Sequence, residues 1–319
     1  MRNPLSLIEK IYNWRIVILI VLLAGIFSVV SAQFFALSTI QGVLFLLPAY
    51  GVIAIGMTLV IIIGELDVSV GGIYALSGLV MYHLLPYGLG VALLGGLLIG
   101  ALIGLINGLV VFKLHVNSLI TTISMSFILS GVALLTASKT VQIDSQALIN
   151  FGNASLWLFP YAAIFYIALT ALFFWVLKRT SFGLQLYAVG GNRISSNYSG
   201  LSTSRIGIVV FVLSGIFAAL GGLLTVARLG AASPLYGSDT AIYVITAVLL
   251  GGTTLTGGYG DVIKSFLGIL LLSLFSKGFT LLQIPAFYQN MIIGIFLILL
   301  LLAGKKLADR HSVVHVPTA

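Results

Sequence analysis

The chain has no cysteine and very little charge. Its 319 residues include 15 Lys and Arg and 7 Asp and Glu, so only 7% are charged while 60% are hydrophobic. The absence of cysteine excludes disulfide bonds and thiolate metal sites. A soluble globular domain carries about a quarter charged residues, so this inventory cannot cover a water-exposed surface. The composition excludes a soluble enzyme, a nucleic-acid-binding protein and a disordered scaffold, and it predicts an integral membrane protein.

Long apolar runs indicate how the chain crosses the membrane. About ten are present, at 16–34, 41–64, 69–85, 88–112, 117–137, 157–177, 206–227, 240–256, 262–282 and 286–303. A membrane helix needs about 20 apolar residues, whereas a barrel strand needs about 10 alternating ones. Backbone polar groups in lipid must be satisfied internally, so these runs are predicted helices. The predicted fold is all-α: a polytopic transmembrane helical bundle of about ten spans, forming a single domain over 1–319.

The placement of basic residues predicts the orientation of the bundle. With the N-terminus in the cytoplasm, 12 basic side chains fall inside, Lys139 and Arg228 fall outside, and Lys277 lies near the outer end of a span. Lys and Arg are retained on the cytoplasmic side, so both termini are predicted to be cytoplasmic. The first apolar run also has features of a cleaved signal peptide, but the charge pattern favours an uncleaved first span.

Motifs for catalysis and metal binding are missing from the sequence. No glycine loop ends in Gly-Lys-Ser or Gly-Lys-Thr, so no nucleotide-hydrolysing motif is present. His83 and His115 stand alone, and His311 and His315 have no further ligand nearby in the sequence. We therefore expect no catalytic residue, no metal site and no cofactor bound by this chain.

Two acids stand together at a glycine-rich break between apolar runs. Glu65 and Asp67 lie within 64–72, and ionisable groups at membrane depth usually face a cavity or a partner. One interpretation is a broken helix that lines a translocation path or closes a gate. The other is a cytoplasmic turn in which Asp67 caps the next helix through the amides of Val70 or Gly71. The first interpretation is preferred for Glu65, and both stay open for Asp67.

A second break lies at 251–260, where five glycines in ten residues cannot form the interior of a stable helix. Paired glycine-interrupted segments in the two halves of a transporter indicate its translocation core. The candidate path and gate residues are Glu65, Asp67, Ser69, Gly71, Gly251, Gly252, Thr253 and Gly258. Asp239, by contrast, is interpreted as an acid at a helix N-terminus.

The polar stretch 178–205 is longer than a simple connector requires. It is predicted to lie in the cytoplasm and to contain an amphipathic helix over 181–189, a turn at 190–192 and a second helical piece. Its length indicates contact with a partner.

Three sequence blocks resemble one protein family. They are 53–62 followed by Asp67-Val68-Ser69-Val70-Gly71, then 180–192 with Ser199-Gly200, and finally 247–253 with Gly257-Gly258-Tyr259-Gly260. In this order, spread over 50–260, they resemble the permease subunits of ABC importers for ribose, other monosaccharides and autoinducer-2. The Asp-Val-Ser-Val-Gly motif favours this group over the related branched-chain amino-acid permeases.

The resemblance implies a sugar-transporting subunit of the bacterial inner (plasma) membrane that has no ATPase of its own. It implies a second permease subunit, in a homodimer or heterodimer, and a cytoplasmic ABC ATPase that uses ATP and Mg. An extracytoplasmic substrate-binding protein would deliver the sugar and carry most of the specificity. The residues expected to form the ATPase coupling loop are Phe182, Gly183, Tyr187, Gly190, Gly191, Asn192 and Gly200.

Some positions depart from the family pattern. Glu65 stands where the family carries glycine, and Ser195-Ser196 stands where Ala-Ala is common. The substrate therefore need not be ribose. The alternative from another functional class is an ion-coupled secondary transporter or channel that uses Glu65 and Asp67 as a relay.

Overall fold

The computed structural model describes residues 4–312 and the side chains of 14–299. The helices in this range are α1 (Pro4–Val30), α2 (Leu37–Ile62), α3 (Val70–Leu84), α4 (Leu89–Phe112), α5 (Ser118–Thr136), α6 (Gln146–Asn153), α7 (Tyr161–Arg179), α8 (Ser181–Gly191), α9 (Arg193–Tyr198), α10 (Thr203–Leu229), α11 (Thr240–Leu250), α12 (Val262–Leu281) and α13 (Ala286–Ser312). The predicted cytoplasmic residue Arg2 and the predicted tail pair His311 and His315 fall outside the described side chains.

Four two-residue strands complete the described range. They are β1 (Val141–Gln142), β2 (Ser155–Leu156), β3 (Phe159–Pro160) and β4 (Ala231–Ala232). β1 pairs with β4 and β2 pairs with β3, both in antiparallel register. Both pairs lie near α6, and the end of the bundle that carries α6 is opposite the end that carries α8 and α9. These two ends are called the α6 end and the α8–α9 end.

Each of the ten predicted apolar runs corresponds to a helix, which confirms the all-α bundle. Among the residues whose side chains the structure describes, six helices are long and apolar enough to cross a membrane, namely α2, α4, α5, α7, α10 and α12. α3 and α11 have only 15 and 11 residues. At about 1.5 Å per residue they cannot span about 30 Å of hydrocarbon. The expectation that 69–85 and 240–256 are full spans is therefore wrong, because both helices border a glycine break.

The centre of the bundle is formed by α10, which packs against α2, α3 and α4. Glycines let the backbones of α4 and α10 approach closely: a Cβ on Gly100 would collide with the carbonyl of Gly215, and one on Gly104 with that of Phe211. Around this centre, α12 and α7 pack on α2, α5 packs on α3, α1 packs on α12, and α13 packs on α11.

Candidate functional site

The short helix α3 begins near half the depth of the bundle. Just before its start, Asp67 accepts a hydrogen bond from the Ser214 hydroxyl at 2.8 Å. One turn inside α3, the carbonyl of Tyr74 lies against Gly222, where no Cβ could be accommodated. Ser214 and Gly222 lie on either side of the centre of α10, so the first turn of α3 is level with that centre. From there α3 runs towards the α6 end, where Gly78 contacts Val226.

The short helix α11 begins at the same point and runs the other way. Gly71 and Gly237 are in backbone contact, since a Cβ on either would collide with the carbonyl oxygen of the other. The N–H of Thr240, the first residue of α11, donates to the Gly237 carbonyl at 3.1 Å. α11 then ends at Gly251, which packs on the Lys264 backbone near the start of α12. Two half-length helices therefore meet at their N-termini inside the bundle, as in discontinuous transporter helices.

Asp67 is fully buried beneath this contact, on the side of the α8–α9 end. Its carboxylate accepts from the Ser69 amide at 3.1 Å, the Ser69 hydroxyl at 2.6 Å and the Ser214 hydroxyl. The Asn107 amide donates in turn to the Ser69 hydroxyl at 2.8 Å. The capping interpretation is wrong in detail, because the amide bonded is that of Ser69 rather than Val70 or Gly71. A buried carboxylate needs such donors, and here they fix the start of α3 against α4 and α10.

A cavity of about 390 Å³ lies between the Gly71–Gly237 contact and the α6 end. Its wall is formed by Leu46, Tyr50, Tyr74, Thr225, Leu229, Leu235, Tyr236, Gly237, Ser238, Asp239, Thr240, Tyr243, Ser276, Gln289, Asn290 and Ile293. These residues come from α2, α3, α10, α11, α12, α13 and the segment that precedes α11. The cavity is thus built by the elements that meet at the half-helix contact, and its wall is mainly aromatic and uncharged polar.

Hydrogen-bonded pairs organise the polar part of this wall. The Asn290 amide donates to the Asp239 carboxylate at 2.9 Å, and the Ser276 hydroxyl donates to the Gln289 carbonyl oxygen at 2.9 Å. Asp239 precedes α11 as expected for an N-terminal acid, but its carboxylate makes no capping hydrogen bond. Arg228 lies off the wall and donates to the Phe45 carbonyl at 2.9 Å. The described wall contains no Lys, Arg or His.

None of the eight predicted path and gate residues lines this cavity. Gly71 lies directly beneath it, Asp67 and Ser69 form the buried network below, and the remaining five lie nearer the α8–α9 end. Of the cavity residues, only Asp239 stood out in the sequence, and it was interpreted as a helix N-terminal acid rather than as part of the path. The available signal was the presence of Tyr50, Tyr74 and Tyr243 inside otherwise aliphatic runs.

The two glycine breaks meet each other and α8 at the α8–α9 end, in a contact termed the glycine junction (Gly64, Gly190, Gly257 and Gly258). The Gly258 N–H donates to the Ile62 carbonyl at 2.8 Å, joining the second break to the end of α2. A Cβ on Gly190 would collide with the same Ile62 carbonyl. Gly257 and Gly258 adopt φ values of +79° and +73°, a left-handed conformation that favours glycine. The sequence predicted these three segments separately, and the structure brings them together.

Glu65 lies beside this junction rather than on the cavity wall. Its carboxylate pairs with the Arg193 guanidinium at the start of α9. The same guanidinium donates to the Ile63 carbonyl at 3.3 Å and lies 4.9 Å from the centre of the Phe112 ring. Glu65 therefore ties the first break to the α8–α9 segment, which agrees with the turn interpretation for this residue.

The second break is held to α7 and α8 by polar contacts. The Tyr187 hydroxyl donates to the Gly260 carbonyl at 2.8 Å. Burial, reinforced by the nearby Asp261 carboxylate, raises the pKa of Tyr187 to about 12. Lys178, at the end of α7, lies 3.8 Å from Asp261. These contacts join α7 and α8 to the segment between α11 and α12.

The outer face of α8 and α9 carries an open groove of about 400 Å³. The apolar side chains Leu184, Ile194 and Tyr198 on these helices are 74%, 70% and 89% exposed. The predicted helix over 181–189 is confirmed, but the predicted turn at 190–192 is wrong for its two glycines, because α8 continues to Gly191 and Asn192 alone separates it from α9. This face has the apolar exposure of a surface that binds another protein.

The other predicted coupling residues serve the local structure of this segment. Phe182 packs towards the core, and Gly183 lies against the Leu177 backbone. Asn192 caps α9 by accepting from the Ser195 amide at 2.9 Å. Gly200 has a φ of +83° with open space around it.

The remaining predicted gate residues pack around the second break. Gly251 contacts the Lys264 backbone, and Gly252 lies beside the Arg15 side chain of α1. Thr253 is buried, and its hydroxyl has no hydrogen-bond partner among the described residues. These three positions shape the link between α11 and α12 and do not reach the cavity.

Comparisons with known proteins give a consistent result. A family model described as "Branched-chain amino acid transport system / permease component" matches residues 39–301. The L-arabinose ABC transporter permease protein AraH of Azospirillum brasilense is 32% identical, over 94% of this chain and 90% of its own. The ribose import permease protein RbsC of Escherichia coli K12 is 32% identical, over 91% and 92%. The autoinducer 2 import system permease protein LsrC of Photorhabdus luminescens is 34% identical, over 95% and 92%. No solved structure matches the chain.

Proposed function

The chain belongs to the family of ABC-importer permeases described as branched-chain amino acid transport system permease components, and on that premise we propose that it imports a neutral monosaccharide. As a member, it is a multi-pass inner-membrane transport subunit and not an enzyme. Its relatives are named for L-arabinose, ribose and autoinducer 2, whereas the family description names branched-chain amino acids. The chemistry of the cavity supports a sugar over an amino acid.

The cavity wall is the observation that carries the substrate proposal. The described wall contains no Lys, Arg or His that could form an ion pair with the carboxylate of a zwitterionic amino acid. Its one charged side chain is Asp239, which would repel a carboxylate. Tyrosines, amides and hydroxyls suit a neutral ligand that has many hydroxyl groups and an apolar ring face. The volume of about 390 Å³ lies in the range of small-molecule sites.

The partners follow from the two ends of the bundle. A cytoplasmic ABC ATPase, which uses ATP and Mg, would bind the groove and the exposed Leu184, Ile194 and Tyr198 at the α8–α9 end. An extracytoplasmic binding protein would deliver the sugar at the α6 end, where the cavity lies. In this orientation both termini lie in the cytoplasm. A second permease subunit would complete the transporter.

The contacts provide a route from ATP hydrolysis to transport. A shift of α8 acts through Gly190 on the end of α2, and through Tyr187 on Gly260 between α11 and α12. α11 connects this point to Gly237 at the inner end of the cavity. Closure of the ATPase would therefore displace α11 relative to α3 and open the cavity towards the cytoplasm, a rocking movement between two packed states.

Reconstitution tests the proposed function. Vesicles containing this permease, its cognate ATPase and its binding protein should take up at least one of D-ribose, L-arabinose and D-allose when ATP is supplied. L-Leucine should not be taken up, and an ionophore should have no effect. Uptake of sugar by the lone permease, or ATP-driven uptake of leucine, would contradict the proposal.

Glu65→Gln separates this mechanism from an ion relay. The Arg193 side chain of this pair is 40% exposed and that of Glu65 is 12% exposed, but a glutamine carbonyl oxygen can still accept the Arg193 hydrogen bond, so the loss is about 1 kcal/mol. We therefore expect ATP-driven uptake to change by less than about fivefold. Radiolabelled sugar uptake with and without an imposed proton gradient provides the measurement. An ion relay would instead give gradient-driven flux that the substitution abolishes.

A further inference from the structure

Tyr50 lies in the middle of a row of three tyrosine rings on the cavity wall. Its ring centroid is 6.5 Å from that of Tyr74, with the planes nearly parallel, and 4.7 Å from that of Tyr243. The Tyr74 hydroxyl is bonded to Thr225 at 2.6 Å. Tyr50 itself is only partly buried. The Tyr50 ring borders the cavity, and an aromatic ring held in this way offers a rigid apolar surface to the C–H groups of a sugar.

Two polar pairs on the same wall retain free hydrogen-bonding capacity. Asp239 accepts one hydrogen bond from Asn290 through Oδ2, which leaves Oδ1 as an acceptor and the second amide hydrogen as a donor. Gln289 accepts from Ser276 through Oε1 at 2.9 Å. A sugar hydroxyl is both donor and acceptor, so it can bridge a carboxylate and an amide that lie side by side. The positions of these pairs would distinguish sugars that differ in the direction of one hydroxyl.

We propose that the cavity is a substrate-binding site of the permease itself, where one neutral monosaccharide stacks on Tyr50 and hydrogen-bonds to Asp239 and Asn290. This rests on the proposed function and extends it, since the family resemblance leaves most of the specificity to the binding protein. The site lies directly above the Gly71–Gly237 contact, so a bound sugar would lie at the closed end of the path. The permease would then discriminate between sugars a second time, after the binding protein has delivered them.

A direct measurement of sugar binding tests the role of the Tyr50 ring. Purified permease in lipid nanodiscs is mixed with D-ribose, L-arabinose or D-allose, and saturation-transfer NMR reports contact with the sugar C–H groups. The Tyr50 hydroxyl makes no hydrogen bond to the described residues, so Tyr50→Phe should keep binding within about twofold, whereas Tyr50→Leu should weaken it about tenfold. Retention by Tyr50→Phe guards against a loss caused by misfolding.

Transport kinetics test the hydrogen-bonding pair. With the sugar-loaded binding protein at saturation, Asp239→Ala should alter the ratio of uptake rates for two epimeric sugars about tenfold or more. Ser130→Ala is the matched control and should keep the wild-type ratio, since this residue on α5 is exposed and its hydroxyl bonds to the Ser126 carbonyl of its own helix.

Two results would overturn the site. One is a wild-type permease that gives no sugar signal although the complete importer transports that sugar. The other is unchanged binding and unchanged sugar preference in both Tyr50→Leu and Asp239→Ala. If the wild-type importer carries no sugar at all, the proposed function fails instead, while a Tyr50-dependent sugar signal would still support the site.

Discussion

Replacing Gly190 with valine is expected to abolish the stimulation of the partner ATPase and the uptake that depends on it. A side chain at this position would collide with the Ile62 carbonyl and crowd the Gly258 amide, both of which are backbone atoms. No rotamer relieves such a clash, and overpacking costs typically about 1–3 kcal/mol. Because α8 must rest against α2 and the second break together, we expect uptake to fall by at least about tenfold. ATPase activity and sugar uptake are measured on the same vesicles.

A glycine outside the junction and outside the α8–α9 segment provides a matched control for this experiment. A Cβ on Gly25, in α1, meets no atom within 4 Å. Gly25→Val should therefore retain ATPase stimulation and uptake close to wild type, and both variants should insert into the membrane equally. Equal activity in the two variants would remove the glycine junction from the coupling mechanism.

The sequence predicted the parts of this junction but not their meeting. Glycine content predicted that 64–72 and 251–260 are broken, and excess length predicted a partner surface in 178–205, because both signals are local. The contact of Gly258 with Ile62 joins residues nearly 200 positions apart. It depends on the relative position of α2, α8 and α12, which no local pattern encodes.

The cavity could not be predicted from the sequence for a different reason. Seven parts of the chain supply its wall, most of them with only one to three residues, so no single segment carries a motif. Asp239 precedes a helix, a position at which acids are common for reasons of capping and dipole. Its distinguishing partner, Asn290, lies 51 positions away.

The lengths of α3 and α11 were overestimated because each predicted apolar run included part of a glycine break. Apolar composition alone does not show where the helix ends within such a run.

The largest effect on the path itself is expected from Gly71→Ala. The added methyl group would collide with the Gly237 carbonyl at the point where α3 and α11 begin. Since both partners in the contact are backbone, the two half-helices must separate, and the inner end of the cavity can no longer seal. We expect vesicles preloaded with a transported sugar to lose it without ATP about tenfold faster than wild type, so that ATP-driven accumulation fails. Efflux of radiolabelled sugar provides the measurement.

ATPase stimulation is the readout that distinguishes this leak from a loss of coupling. Gly71 lies about half the depth of the bundle away from the α8–α9 end, so the Gly71→Ala importer should still be stimulated and should hydrolyse ATP without accumulating sugar. Gly131→Ala, in α5, is the matched control because its Cβ meets no atom within 4 Å. Sealed vesicles and normal accumulation in Gly71→Ala would show that the half-helix contact tolerates a side chain and is not the closure of the path. A leak together with retained ATPase activity would show that Gly71 is needed to close the path, whereas Gly190 is needed to couple the path to the ATPase.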